Sequence, residues 1–150
     1  MKKNLFLSYG FLLLICINNS LSLFAQVDSQ SNSLRHYVGQ TKTSIINSFQ
    51  YCHVETDQKT LTLTCDNDTY IIGIKAGMSF SIIYCPGNKG KAGTRFSSEI
   101  KRLKDSGWIS TDQSTDEFGN IFYTYKKNDK CILCTYMPDL GWLSFQNCDK

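Results

Sequence analysis

The chain has 150 residues, with 16 basic and 13 acidic side chains and a formal charge of +3. Two of the basic residues, Lys2 and Lys3, sit in a short segment that reads as an export signal. Without that segment the charge falls to +1, too little for a dedicated nucleic-acid binder, which needs a concentrated positive field.

Residues 1–25 have the layout of a secretory signal peptide. Lys2 and Lys3 precede an apolar run from Leu5 to Ile17, and a polar, small-residue tail ends at Leu23-Phe24-Ala25. The run is shorter than the ~20 residues a membrane-spanning helix needs. Ile15, not a small residue, precedes Cys16, which argues against a lipid anchor. The expectation is export to the periplasm or beyond, with no membrane span in the mature form. Gln26 to Leu34 is polar and is expected to be a flexible leader. Residues 35–150 are expected to form one domain, large enough to bury most of its unfolded surface.

Thr41 is a candidate N-cap for a short helix with Ile45, Ile46 and Phe49 at helical spacing. A strand is expected over Tyr51–Glu55. Three more follow at Thr60–Cys65, Thr69–Lys75 and Met78–Cys85, with turns at Asp66-Asn67-Asp68 and Ala76-Gly77. In the first of these three, Leu61, Leu63 and Cys65 alternate with Thr60, Thr62 and Thr64, the mark of a sheet with one wet face. Pro86 to Gly93 reads as a glycine-rich loop.

A second helix is expected from about Thr94 to Ser106, with Phe96, Ile100 and Leu103 on one face and Gly107 as C-cap. Then come a short strand at Trp108–Ser110, a polar loop at Thr111–Glu117, and strands at Gly119–Lys127, Lys130–Met137 and Trp142–Asn147. The fold class is α+β. Its order is α-ββββ-α-ββββ: two helix-plus-antiparallel-sheet halves, about 35–86 and 94–150, with helices packed on a mainly antiparallel sheet.

The stretch Val38-Gly39-Gln40-Thr41-Lys42, followed by Ile45 and Phe49, resembles the helix opening of small exported bacterial domains. These are the outer-membrane-assembly lipoprotein BamE and the β-lactamase-inhibitor-protein fold. The likeness covers residues 38–49. It implies an exported, non-catalytic module that works by contact with another protein; the inhibitor fold also has two helix-plus-sheet halves. The ending Leu-Phe-Ala-Gln is similar to signal endings of the Bacteroidota.

Six cysteines remain after the signal: Cys52, Cys65, Cys85, Cys131, Cys134 and Cys148. An even set in an exported chain predicts disulfides, with 15 pairings open if all are used. A turn over Pro138–Gly141 sets Met137 against Trp142 and, counting outward, Cys131 against Cys148. Opposed Cβ atoms lie ~4.5–5.5 Å apart, within bridging reach. A turn at Asp57-Gln58 sets Cys52 against Leu63, diagonal to Cys65. This predicts Cys131–Cys148 and Cys52–Cys65, leaving Cys85–Cys134 by elimination.

Signs of chemistry are few. Cys131-Ile-Leu-Cys134 has redox spacing but sits on a strand, where i and i+3 point to opposite faces. Metal binding would need a second ligand pair. Gly87 to Ala92 misses the phosphate-loop spacing. Only His36 and His53 are available for acid–base work, and no catalytic triad can be placed. No catalytic residue, metal or cofactor is expected.

Candidate binding residues are Tyr123, Tyr125, Tyr136 and Trp142, with Lys91, Arg95 and Arg102 as a basic patch that could steer an acidic partner. The aromatic strands leave two readings open: one face as core with the other an interface, or core with scattered surface rings. The expected function is binding of another protein in the envelope or outside the cell, as an inhibitor, immunity or adaptor module. The alternatives are a carbohydrate or cell-wall binder using Trp142 and Tyr136, and a small hydrolase using His53.

Overall fold

The structure, a computed structural model, describes residues 33–148. The segment expected to be an export signal and the expected leader up to Asn32 lie outside them. The described chain is α+β: two α-helices and one eight-stranded antiparallel sheet. The helices are α1 (Lys42–Ser48) and α2 (Gly90–Asp105). The strands are β1 (His53–Thr56), β2 (Thr60–Cys65), β3 (Asp68–Lys75), β4 (Met78–Cys85), β5 (Ile109–Thr115), β6 (Ile121–Lys127), β7 (Lys130–Met137) and β8 (Trp142–Asn147). The sheet runs β1-β2-β3-β4-β8-β7-β6-β5, so β4 and β8 pair at its centre and β1 and β5 form its edges.

Local chemistry explains the element ends. The Thr41 hydroxyl accepts from the Ser44 N–H at 3.1 Å and caps α1. Asp66 and Asn128 open their hairpin turns at φ near 55°, a region their short polar side chains tolerate. Asp116 accepts from the Phe118 and Asn120 N–H groups and from the Asn120 side chain. Those bonds hold its carboxyl below the usual range, led by the Asn120 side chain, and close the β5–β6 loop.

Several boundaries differ from the sequence reading; β1 covers His53–Thr56 rather than Tyr51–Glu55, and β6 starts at Ile121 rather than Gly119. A 3₁₀ turn covers Leu34–Tyr37, and Leu34, expected at the end of a flexible leader, is buried. Helix α2 begins at Gly90, so half of the expected loop is helical. Strand β5 runs to Thr115 through the expected polar loop. Every β5 residue is exposed, because an edge strand needs no apolar alternation to pair on one side. Trp108 is not in a strand. Its N–H donates to the Leu103 carbonyl beyond Gly107, whose φ of 78° ends the helix in the left-handed manner.

One row of the core crosses the sheet through Leu61, Ile72, Ile82, Phe145, Cys134 and Tyr123, all partners in register. A neighbouring row crosses through Leu63, Tyr70, Tyr84, Leu143 and Tyr136. Ile45 and Phe49 of α1, and Ala92, Phe96 and Leu103 of α2, belong to the same buried cluster. Rings link it: Tyr37 to Phe49 and Phe49 to Tyr70 at 5.0 Å, and Tyr70 to Tyr84 at 5.1 Å. Burial pushes the Tyr70 phenol up to about 12, and burial with the Asp68 hydrogen bond pushes Tyr84 higher still.

Two polar anchors fasten the 3₁₀ segment. The Ser79 hydroxyl accepts from the Gly39 and Gln40 N–H groups and donates to the Tyr37 carbonyl. Fully buried Glu99 of α2 accepts from the Ser33 hydroxyl at 2.5 Å and the Leu34 N–H at 3.2 Å. Arg95 lies 3.0 Å from the same carboxylate and Arg102 lies 3.7 Å away. The pairing matters, because a buried charge that loses its partner costs about 3–5 kcal/mol.

Two disulfides form, Cys131–Cys148 and Cys52–Cys65. The first has the expected register: Ile132 faces Asn147, so Cys131 faces Cys148, and their Cα atoms are 5.2 Å apart. For the second the register needs correction. Val54, not Cys52, faces Leu63, because Thr56 pairs with Leu61 around a longer turn. Cys52 therefore falls directly opposite Cys65, at 4.5 Å between Cα atoms.

The Cys85–Cys134 bridge does not form; both thiols are free. Strand β8 lies between their strands, and Cys134 points into the core while Cys85 points away. Burial raises both thiols, Cys134 by far the more. Alkylation of the unreduced folded protein should label Cys85 and spare Cys134 until denaturant is added. Peptide mass mapping that found Cys85 joined to Cys134 would contradict the arrangement.

Candidate functional site

The side of the sheet opposite the core is built from the alternate residues. Its central row is Thr62, Ile71, Ile83, Ser144, Thr135 and Phe122. Apolar side chains on this side keep partial exposure, as at Ile71, Ile83, Leu133 and Phe122. Phe80 is 44% exposed and Trp142 37%. This is an apolar, weakly polar surface dressed mainly with threonine and serine hydroxyls.

A β-bulge shapes it. Ile74 pairs with Ser79 while Gly73 pairs with Ser81, leaving Phe80 as the extra residue. The Phe80 ring crosses Gly73: a Cβ at Gly73 would fall 2.6 Å from Phe80 Cζ and 2.6 Å from Ser81 Oγ. Gly73 is thus the space in which the ring lies, and the ring walls an open trough of about 800 Å³. Lys75 and Phe80 stand on one side, Thr124 and Lys126 on the other. Leu133, Gln146 and the Cys131–Cys148 bridge form the floor.

The structure separates the aromatic residues chosen from sequence. Tyr125 is fully buried, and its phenol is raised chiefly by burial. Tyr136 stacks on Phe96 at 5.2 Å, and Tyr123 meets the same ring at 6.0 Å. Tyr125 thus belongs to the buried core, and Tyr123 and Tyr136 pack against it and against Phe96 of α2. Trp142 stands on the other side, because it pairs with Met137 while Tyr136 pairs with Leu143. Tyr136 and Trp142 therefore cannot form one sugar-stacking platform.

The basic residues divide as well. Arg95 and Arg102 are turned to Glu99, whereas Lys91 is exposed in the first turn of α2. His53 is 72% exposed on edge strand β1, 3.3 Å from an equally exposed Glu55. Among the described residues no group of His, Cys, Asp or Glu side chains could hold a metal ion.

Sequence reasoning missed Phe80, Gly73, Lys75, Lys126 and Leu133. Alternation alone would have placed Phe80 with Ile82 in the core, and only the bulge turns it outward. No family model, curated protein or solved structure matches the chain, so the functional reading rests on this geometry.

Gly73→Ala tests the Phe80 seat. The φ at Gly73 is ordinary, so the added methyl acts by displacing the ring, and overpacking of this kind costs about 1–3 kcal/mol. Ring-proton shifts of Phe80 should move and the urea midpoint should fall. Unchanged Phe80 resonances would show that the ring does not lie over residue 73.

Proposed function

We propose that this protein is an exported, non-catalytic protein-binding module, of the inhibitor, immunity or envelope-adaptor kind, acting through the side of the sheet that carries Phe80 and Trp142. The single observation behind the reading is that this side keeps exposed aromatic and aliphatic groups in the described chain. Interface centres favour such groups. In this reading the chain consists of two helix-plus-sheet halves meeting at β4 and β8, with the helices covering one side and a partner the other.

Two disulfides fit an oxidising compartment. No helix among the described residues is long and apolar enough to cross a membrane. A binding role is favoured over acid–base chemistry because His53 stands out in solvent on an edge strand, where water screens its pairing with Glu55. The partner face assigned here differs from the tyrosine-rich face expected from sequence, since Tyr123 and Tyr136 pack against Phe96 and Tyr125 is fully buried.

The test is capture of a partner by the immobilised full chain from its native host, followed by affinity measurement on the partner so identified. Phe80→Ala and Trp142→Ala should each weaken binding by roughly thirtyfold, the effect of losing an interface anchor. Lys101→Ala, on the exposed side of α2, should leave it unchanged. Full affinity in both aromatic variants would overturn the reading.

A further inference from the structure

The trough beside Phe80 carries information about what it would hold. Its two charged lining residues, Lys75 and Lys126, are both cationic and both exposed. Neither ammonium has a carboxylate among the residues that line the trough. The acids on this side of the sheet stand on its edge strands, Glu55 on β1 and Asp112 on β5, opposite Thr62 and Thr124. Between the lysines the surface is apolar, from Phe80 and Leu133, with amide and hydroxyl groups from Gln146 and Thr124.

The spacing is set by the sheet. Lys75 is on β3 and Lys126 on β6, with β4, β8 and β7 between them. Four strand-to-strand steps of ~4.8 Å separate their backbones by roughly 19 Å. An extended chain advances about 3.3 Å per residue, so roughly six residues cross that distance.

We infer that the trough seats an extended segment of the partner protein, about six residues long, with an apolar middle and an acidic residue near each end. The segment crosses the strands, sets its apolar side chains against Phe80 and Leu133, and brings one carboxylate to Lys75 and the other to Lys126. This rests on the protein-binding reading above and adds the partner's chemistry. The two separated cations reject a neutral or basic segment of the same shape, because burying an unpaired ammonium is unfavourable.

The experiment uses the full chain and two end-blocked peptides, Asp-Gly-Leu-Phe-Gly-Asp and Asn-Gly-Leu-Phe-Gly-Asn, followed by amide chemical shifts. The acidic peptide should shift Phe80, Thr124, Leu133 and Gln146. It should bind about tenfold more tightly than the neutral one, with the advantage shrinking as salt is raised. Lys75→Glu combined with Lys126→Glu should abolish the preference for the acidic peptide. Equal binding of the two peptides, or shifts confined to other residues, would overturn the inference. Partner affinity separates this from the wider reading. If Trp142→Ala weakens the partner while the double lysine reversal does not, the trough inference fails and the binding face stands. If none of the face variants weakens it, the binding face itself fails.

Discussion

Pairing of β4 with β8 is the contact on which the rest of the structure depends. Four in-register pairs, Ser81–Gln146 through Tyr84–Leu143, join strands more than fifty residues apart into one sheet. Without them β1–β4 and β5–β8 would be separate meanders, each with its own unpaired edge, and neither core row would be continuous. The 3₁₀ turn reinforces the same place. It is tied to β4 through Ser79 and to α2 through Glu99, while the Arg35 guanidinium lies 4.9 Å over the Trp108 ring. Residues at the start of the described chain thereby hold together elements far apart in sequence.

That single sheet fixes what each side chain can do. Alternation sends Leu61, Ile72, Ile82, Leu143 and Phe145 inward and Ile71, Ile83 and Ser144 outward, with no choice left to individual residues. Alternation slips twice, at Ser110–Asp112 on edge strand β5 and at the Gly73–Ile74 bulge, and it is at the latter that Phe80 turns out to wall the trough. The disulfides act at the margins. Cys52–Cys65 pins short edge strand β1, and Cys131–Cys148 ties the open ends of β7 and β8 beneath the trough.

Much of this was legible in the chain. The β2–β4 boundaries and the Cys131–Cys148 register follow from period-two patterning and turn residues, both local signals. The Cys52–Cys65 pair was legible, but its register was off because turn length cannot be read from Asp57-Gln58 alone. Asp57 accepts from the Lys59 and Thr60 N–H groups and holds a longer turn than expected. The 3₁₀ turn was not legible, since it is stabilised by Glu99, a partner sixty-five residues away from Leu34. Nor was the role of Tyr123, Tyr125 and Tyr136. Alternation groups these rings on one face without saying which face α2 covers.

Neighbours on one strand live in different environments, one side packed and the other bare. A soluble paramagnetic chelate tests this through methyl relaxation in the full chain. Ile71, Ile83 and Leu133 should relax markedly faster than their neighbours Ile72, Ile82 and Ile132. Equal protection of both sets would contradict the account, for it would mean that the outward side is covered in the free protein.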